Sequence, residues 1–85
     1  MNSITWKPKA LKQTRKLGSE KVRATIFDGV QVLNDFPNCA GVKALTNHEY
    51  QYRLRISHYR VFFNFDGAVS IASIEEVKKR DERTY

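Results

Sequence analysis

Residues 50–65 read YQYRLRISHYRVFFNF, two alternating runs of apolar and polar residues that meet at Ser57 and His58. Strand side chains point alternately to opposite faces of a sheet, so each run predicts a β-strand. A hairpin folded about Ser57 and His58 pairs position 56 with 59, 55 with 60, 54 with 61 and 52 with 63. One face of this hairpin is apolar and is predicted to face the core; it carries Tyr52, Leu54, Val61 and Phe63.

The opposite face of the predicted hairpin carries Arg53, Arg55 and Arg60. Arg55 and Arg60 are predicted to be direct cross-strand neighbours, and like charges in that position destabilise a sheet. A face that nevertheless holds three guanidinium groups indicates an anionic ligand, with phosphate as the natural candidate. The alternative for each arginine is an ordinary solvated strand residue. Phe62 shares this face by parity, where its ring is predicted to stack on a base or to lie beneath a covering tail.

The composition is that of one small domain over residues 1–85. Fifteen Lys and Arg residues against nine Asp and Glu residues give a net charge of +6. This balance favours nucleic acid, an anionic membrane surface or an acidic protein as a partner. No apolar run is long enough to cross a membrane and no signal-peptide pattern follows Met1, so we expect a cytoplasmic protein. Cys39 is the single cysteine, which excludes an intramolecular disulfide.

Two helices joined at Gly18 and Ser19 form a predicted helical hairpin. Pro8 suits the first turn of the first helix, and Gly18 is a good terminator. Ser19 can cap the second helix, which Phe36-Pro37 stops. Apolar residues recur along the second helix at helical spacing and predict its buried stripe, Val22, Ile26, Val30 and Leu33.

Short segments complete the predicted sheet. Residues 4–6 predict a first strand, and residues 42–45 a short strand or a loop. Asp66-Gly67 predicts a two-residue turn, followed by a strand over residues 69–74. Residues 78–85 predict a basic C-terminal tail. The expected fold is α+β, an N-terminal strand and a helical hairpin packed on an antiparallel sheet.

With this order of elements the chain resembles the RelE/ParE superfamily of bacterial toxins, specifically its RelE-like branch. The matching pieces are the β-α-α-β-β-β order, KLG at 16–18, KAL at 43–45, YRLRISHYRV at 52–61 and KRDERTY at 79–85. The resemblance implies the RelE-like microbial RNase fold and a type II toxin that cleaves mRNA on the ribosome. It further implies a monomeric toxin held in a hetero-oligomeric complex by a cognate antitoxin.

The resemblance also implies roles for individual residues. Arg60 and Arg80 match arginines that stabilise the transition-state phosphate, and Tyr85 matches a C-terminal tyrosine that transfers a proton or stacks on a base. Arg53 and Arg55 match basic positions that hold the RNA backbone. Further RNA contacts are expected from Lys43, Phe62, Lys79 and Arg83.

The implied reaction needs no metal or other cofactor. The 2′-hydroxyl attacks its own phosphate and the 5′-oxygen leaves, so a site must remove one proton, donate another and stabilise the developing charge. Two histidines and one cysteine at scattered positions form no zinc pattern, and the arginine face is expected to hold no paired carboxylates. Cationic residues and a phenol suit a phosphate substrate, so the expected enzyme is a metal-independent endoribonuclease.

Two other functions stay open at the level of sequence. ParE-like relatives share the fold and inhibit DNA gyrase instead, although they generally lack the set of Arg60, Arg80 and Tyr85. A toxin fold that has lost its activity would act as a binding module. Tyr85 is the final residue, where terminal fraying is common, and charge-dense tails such as residues 78–85 are often merely solvated.

Overall fold

A computed structural model describes residues 1–80 as five strands, two α-helices and a 3₁₀ helix. None of the helices in this range is long and apolar enough to span a membrane. The strands are β1 (Ser3–Trp6), β2 (Val42–Ala44), β3 (Tyr52–Ile56), β4 (Tyr59–Asp66) and β5 (Ile71–Lys79), and the helices are α1 (Pro8–Arg15), α2 (Glu20–Val30) and the 3₁₀ helix (Gln31–Asp35).

The strands form one sheet in the order β1-β5-β4-β3-β2. The predicted hairpin is confirmed as β3 and β4, with Leu54 opposite Val61 and Arg55 opposite Arg60. The α+β class is also confirmed, but the sheet is mixed, because β1 runs parallel to β5. Residues 42–44 form the short edge strand that the sequence left open as strand or loop.

The core lies between the helices and one face of the sheet. Leu54, Val61 and Phe63 supply its centre from the hairpin, as their parity predicts. Ala72, Ile74 and Val77 continue it on β5, and Ile26, Val30 and Leu33 close it from α2 and the 3₁₀ helix. Burial of apolar surface at about 25 cal/mol per Å² is the main force that holds the two layers together.

Local signals explain how α2 begins and how closely it approaches the sheet. The Ser19 hydroxyl accepts a hydrogen bond from the Val22 backbone N–H at 3.2 Å, as expected for an N-cap. Gly29 faces Ile56, and a Cβ at position 29 would lie 2.7 Å from Ile56 Cδ1. The missing side chain therefore lets the helix backbone rest on β3.

The connection from β4 to β5 differs from the prediction. Asp66 pairs with Ile71, so four residues, 67–70, form the loop in place of a two-residue turn. The Asp66 carboxylate accepts a hydrogen bond from the Ala68 N–H at 3.0 Å, which stabilises this wider loop. Val69, predicted to start the strand, is 59% exposed, and Ser70 has a φ of +54°.

Strand β5 is longer than predicted and contains a bulge. It extends through Lys78 and Lys79, so the first two residues of the predicted tail belong to the sheet. Phe62 pairs with Glu76 but Phe63 pairs with Ile74, which leaves Glu75 as the extra residue. The bulge restores Val77 to the core face and turns Glu76 to the opposite face.

Helix α1 covers the edge of β5 beyond the end of β1. The Lys7 N–H donates to the Ile74 carbonyl at 2.9 Å, and the Val77 N–H donates to Gln13 Oε1 at 2.7 Å. The strand edge that β1 leaves unpaired is therefore satisfied by a side chain of α1. This contact brings the basic surface of α1 next to the sheet face that the helices leave open.

The close approach at Gly29 predicts the effect of adding one methyl group. In Gly29→Ala the new Cβ meets three atoms of a buried, branched side chain that has little room to move. Overpacking of this kind costs about 3 kcal/mol, and the better helix propensity of alanine returns about 1 kcal/mol. Urea unfolding should therefore show a loss of about 2 kcal/mol in unfolding free energy.

Gly67→Ala is the matched control, because its Cβ would meet Phe65 only at an ordinary 3.7 Å. We expect it to leave the unfolding free energy within about 0.5 kcal/mol of the wild type, as surface substitutions usually do. Equal stability of Gly29→Ala and wild type would contradict the packing account.

Candidate nucleic-acid interface

Three cations form a row across the sheet face that the helices leave open. Arg55 on β3 lies opposite Arg60 on β4, and Arg60 lies opposite Lys78 on β5. All three residues are exposed. Neighbouring strands are about 4.8 Å apart, and like charges placed directly opposite destabilise a sheet. This cation row (Arg55, Arg60 and Lys78) therefore favours an anion bound above the centre of the sheet.

A second row of side chains lies on the same face, two residues away from the cation row along β3 and β4. Lys43 on edge strand β2 pairs with Arg53, and Arg53 pairs with Phe62. Arg53 is half-buried, and its Nε has no hydrogen-bond partner among the described residues. The structure thus places the predicted residues Lys43, Arg53 and Phe62 on one face with the cation row.

Phe62 does not present its ring to solvent. It is 8% exposed, because the His48 ring stacks on it with centroids 5.2 Å apart and Tyr50 lies beside it. Of the two roles predicted for Phe62, stacking on a base would therefore require a change in the position of His48 and Tyr50. Among the described residues, the ring is covered by His48 and Tyr50. The outermost ring of this stack belongs to His48.

The loop that covers Phe62 is anchored by side chains that extend the β3–β4 ladder. The Gln51 N–H donates to Asn64 Oδ1 at 2.8 Å, and the Phe65 N–H donates to Gln51 Oε1 at 2.7 Å. The Tyr50 N–H donates to His48 Nδ1 at 3.0 Å. Because Nδ1 accepts that bond, the neutral His48 ring carries its proton on Nε2.

Glu76 is the functional candidate that sequence reasoning missed. It pairs with Phe62 on the open face, and only 7% of it is exposed. Lys9 Nζ lies 3.4 Å from its Oε1, Lys78 Nζ lies 3.2 Å from its Oε2, and Tyr50 donates a hydrogen bond to it. The carboxylate therefore joins α1, the covering loop and the cation row.

The surroundings of Glu76 shift two pKa values. Burial by itself would raise the pKa of Glu76, but the hydrogen bonds from Lys78 and Tyr50 and the charges of Lys78 and Lys9 outweigh it and lower that pKa. Burial, together with the hydrogen bond and charge of Glu76, raises the pKa of Tyr50 to about 12. At neutral pH the pair is thus a carboxylate that accepts from a phenol.

The residues at the end of β5 divide between the two faces. The Arg80 N–H donates to the His58 carbonyl at 2.6 Å, so Arg80 lies at the hairpin turn, at the same end of the hairpin as Arg60. Lys79 pairs with Tyr59 and points by alternation to the helix side of the sheet, away from the cation row. The predicted residues Arg83 and Tyr85 lie outside the described residues.

The remaining reactive groups in residues 1–80 are poorly placed to act as a nucleophile or to bind a metal ion. Burial and the charge of Asp35 raise the pKa of the half-buried Cys39 thiol, which disfavours the nucleophilic thiolate. No group of three His, Cys, Asp or Glu side chains in this range is placed to hold a metal ion.

Comparisons with known proteins concern nearly the whole chain. A family model described as the ParE toxin of the type II toxin–antitoxin system parDE matches residues 4–83. The isolated Escherichia coli RelE toxin superposes with a TM-score of 0.76 at 20% identity, over 96% of this chain and 87% of that chain. No curated protein matches significantly in sequence.

Two toxin–antitoxin complexes contain chains of the same fold. A chain of the RelE–RelB complex from Pyrococcus horikoshii has a TM-score of 0.76 at 17% identity, over 98% of both chains. A chain of the RelBE2 complex from Mycobacterium tuberculosis has a TM-score of 0.74 at 20% identity, over 93% of this chain and 98% of that chain. These likenesses confirm the predicted RelE-like fold.

The pairing of Tyr50 with Glu76 predicts how the protein titrates in alkali. A phenol whose pKa rises on folding stabilises the fold below its unfolded value of about 10, and that stability is lost as the pH rises toward about 12. Carbon NMR of ring-labelled tyrosine, assigned with Tyr50→Phe, should show Tyr50 titrating near pH 12.

Glu76→Gln should lower the pKa of Tyr50, because the carboxylate charge and its hydrogen bond no longer oppose the tyrosinate. Glu20→Gln removes an exposed carboxylate at the start of α2 and should leave the titration unchanged. A wild-type Tyr50 that titrates near pH 10, the usual value for tyrosine, would contradict this account.

Proposed function

Since the chain belongs to the ParE toxin family of type II toxin–antitoxin systems, we propose that it acts in the cytoplasm as a ribosome-dependent mRNA endonuclease. The cation row carries this proposal. Arg55, Arg60 and Lys78 lie side by side on an open face, where their repulsion weakens the sheet unless an anion binds. The phosphodiester backbone of RNA is an anion that such a row can hold.

The proposed reaction is transfer of the phosphate to the neighbouring 2′-hydroxyl, with release of the 5′-oxygen. Arg60 lies in the middle of the cation row, and Arg80 lies at the hairpin turn beside it. In this proposal the two guanidinium groups stabilise the charge that builds up on the phosphate. Preorganised donors at a developing anion are often the largest single contribution to catalysis. Tyr85 is proposed to transfer a proton or stack on a base.

The second row supplies affinity for the RNA backbone. Arg53 has a buried, unpartnered Nε among the described residues, and Lys43 lies exposed beside it on the edge strand. Contacts of this kind with phosphates position RNA without reading its sequence. Arg83 is proposed to add to them from the tail. Lys79 is a weaker candidate for an RNA contact, because its side chain points to the helix side of the sheet.

The ribosome and an antitoxin are the proposed macromolecular partners. Helix α1 and the residues that flank it expose a strongly basic surface suited to ribosomal RNA, with Lys7, Lys9, Lys12, Arg15 and Lys16. The solved RelE toxins from P. horikoshii and E. coli occur in complexes with RelB. By analogy, a cognate antitoxin with an acidic segment would bind this chain and cover the cation row, giving one toxin monomer in a hetero-oligomeric complex.

Inhibition of DNA gyrase is the second candidate, because the matching family is described as ParE. Gyrase inhibition would require a protein-binding surface in place of a catalytic one, and the cation row would then have no reaction to perform. A supercoiling assay with purified gyrase distinguishes the two functions directly.

Arg60→Ala should reduce mRNA cleavage by about 10²–10³-fold, the usual loss when one preorganised donor to a transition-state anion is removed. The measurement is cleavage of a defined mRNA by the purified protein, with and without translating ribosomes, mapped by primer extension. Lys21→Ala is the control, since it removes one exposed positive charge from α2, in the layer on the other side of the sheet.

Cleavage that requires ribosomes, persists in Lys21→Ala and is lost in Arg60→Ala would support the proposal. No cleavage by the wild type under either condition, together with inhibited supercoiling, would replace it with the gyrase function. The absence of both activities would indicate a binding module.

A further inference from the structure

A cleavage reaction that starts from a 2′-hydroxyl needs a proton acceptor near the bound phosphate. Guanidinium and ammonium groups are donors only, so the cation row cannot fill this role. His48 Nδ1 already accepts from the Tyr50 N–H, and the Tyr50 hydroxyl donates to Glu76. In the part of the chain that the structure describes, Glu76 is the carboxylate that contacts the cation row, through Lys78 at 3.2 Å.

The Glu76 carboxylate has room for one more hydrogen bond. Its two oxygens offer about four acceptor sites. Lys9, Lys78 and Tyr50 occupy three of them. Among residues 1–80, these three groups leave one acceptor site of the carboxylate for a hydroxyl donor, on a face that is otherwise rich in donors. Phe62, its neighbour on β4, is apolar and adds no competing partner.

Binding of a phosphate would change the balance around this carboxylate. Lys78 belongs both to the cation row and to the ion pair with Glu76, so a phosphate on the row competes for its ammonium group. Lys9 is the longer contact, at 3.4 Å, and its side chain is more than half exposed. When phosphate draws these cations away, Glu76 is left in a nearly buried site beside a new negative charge, and both conditions favour its protonation.

We propose that Glu76 is the general base of the cleavage reaction and that the bound phosphate activates it by drawing away its lysine partners. The O2′–H bond breaks and the proton passes to a Glu76 oxygen, while the O2′–P bond forms and the P–O5′ bond breaks. The 5′-oxygen leaves with a proton taken from water. The products are a 2′,3′-cyclic phosphate and a 5′-hydroxyl, and the proposal rests on the ribonuclease function proposed above.

The charged groups that face Glu76 set the expected pH dependence. They are Lys9 from α1, Lys78 from β5 and Tyr50 from the covering loop, with Glu49 close to Tyr50. In the free protein these groups lower the pKa of Glu76. The kcat of the bound complex should therefore fall with acid at a higher pH than the titration of free Glu76, because the lysines then serve the phosphate.

The decisive experiment measures single-turnover cleavage of ribosome-bound mRNA against pH, with saturating protein. Glu76→Gln should lose about 10²–10⁴-fold in rate, the typical contribution of a general base, and should lose the acid limb of the profile. Its RNA affinity should stay equal or increase, since one negative charge has gone. Glu75→Gln is the matched control. Glu75 accepts a hydrogen bond from the Ser73 hydroxyl at the bulge and lies outside the group formed by Glu76, Lys9, Lys78 and Tyr50.

Two further measurements keep the test independent of how Glu76→Gln folds. Tyr50→Phe removes a hydrogen bond that lowers the pKa of Glu76, so its acid limb should move to higher pH while cleavage persists. Carboxyl-carbon NMR of the free wild-type protein should show Glu76 titrating below the usual glutamate value, and a short RNA with a 2′-deoxy cleavage position should raise that pKa.

The outcomes separate this inference from the function on which it rests. Wild-type cleavage with a Glu76→Gln rate within about threefold, or with its acid limb retained, overturns the general-base role alone. An unchanged Glu76 titration on RNA binding overturns the activation step. A wild-type protein that never cleaves RNA overturns the ribonuclease function and this inference with it.

Discussion

The pairing register of β3 and β4 is the constraint on which the rest of the structure depends. A shift of one residue would turn one of the two strands over, so that either Arg53 and Arg55 would replace Leu54 in the core or Arg60 would replace Val61 there. Burial of an uncompensated charge costs several kcal/mol, so no nearby register competes. The same register places Ile56 against Gly29 of α2, and this contact sets how closely the helix packs on the sheet.

The positive charges on the open face of the sheet are partly offset by a carboxylate, that of Glu76. The cation row would be repulsive on its own, and Glu76 offsets part of that repulsion through Lys78. Burial of Glu76 carries its own desolvation cost, which its partners Lys78, Tyr50 and Lys9 offset. Because Lys78 belongs both to the cation row and to the ion pair with Glu76, binding of an anion on the row would be linked to the ionisation of Glu76.

Strands and helices that are marked by a local sequence pattern could be predicted, whereas features without such a pattern could not. Alternation fixed the β3–β4 hairpin, and the cap at Ser19 fixed the start of α2. The parallel pairing of β1 with β5 joins segments about 70 residues apart and has no local signature. The bulge at Glu75 did leave a signal, since Ile74 and Val77 are three residues apart in a strand, and reading it would have placed Glu76 on the open face.

A shared fold leaves the choice between nuclease and gyrase inhibitor to the open face. The buried core would serve both kinds of toxin equally, since it only holds the two layers together. A surface that binds another protein gains little from a carboxylate that is almost fully buried among cations, because desolvation consumes much of the attraction. A site that must both hold a phosphate and remove a proton needs both charges side by side. Arg60 and Glu76, on neighbouring strands of the open face, bring the two kinds of charge together as the proposed nuclease requires.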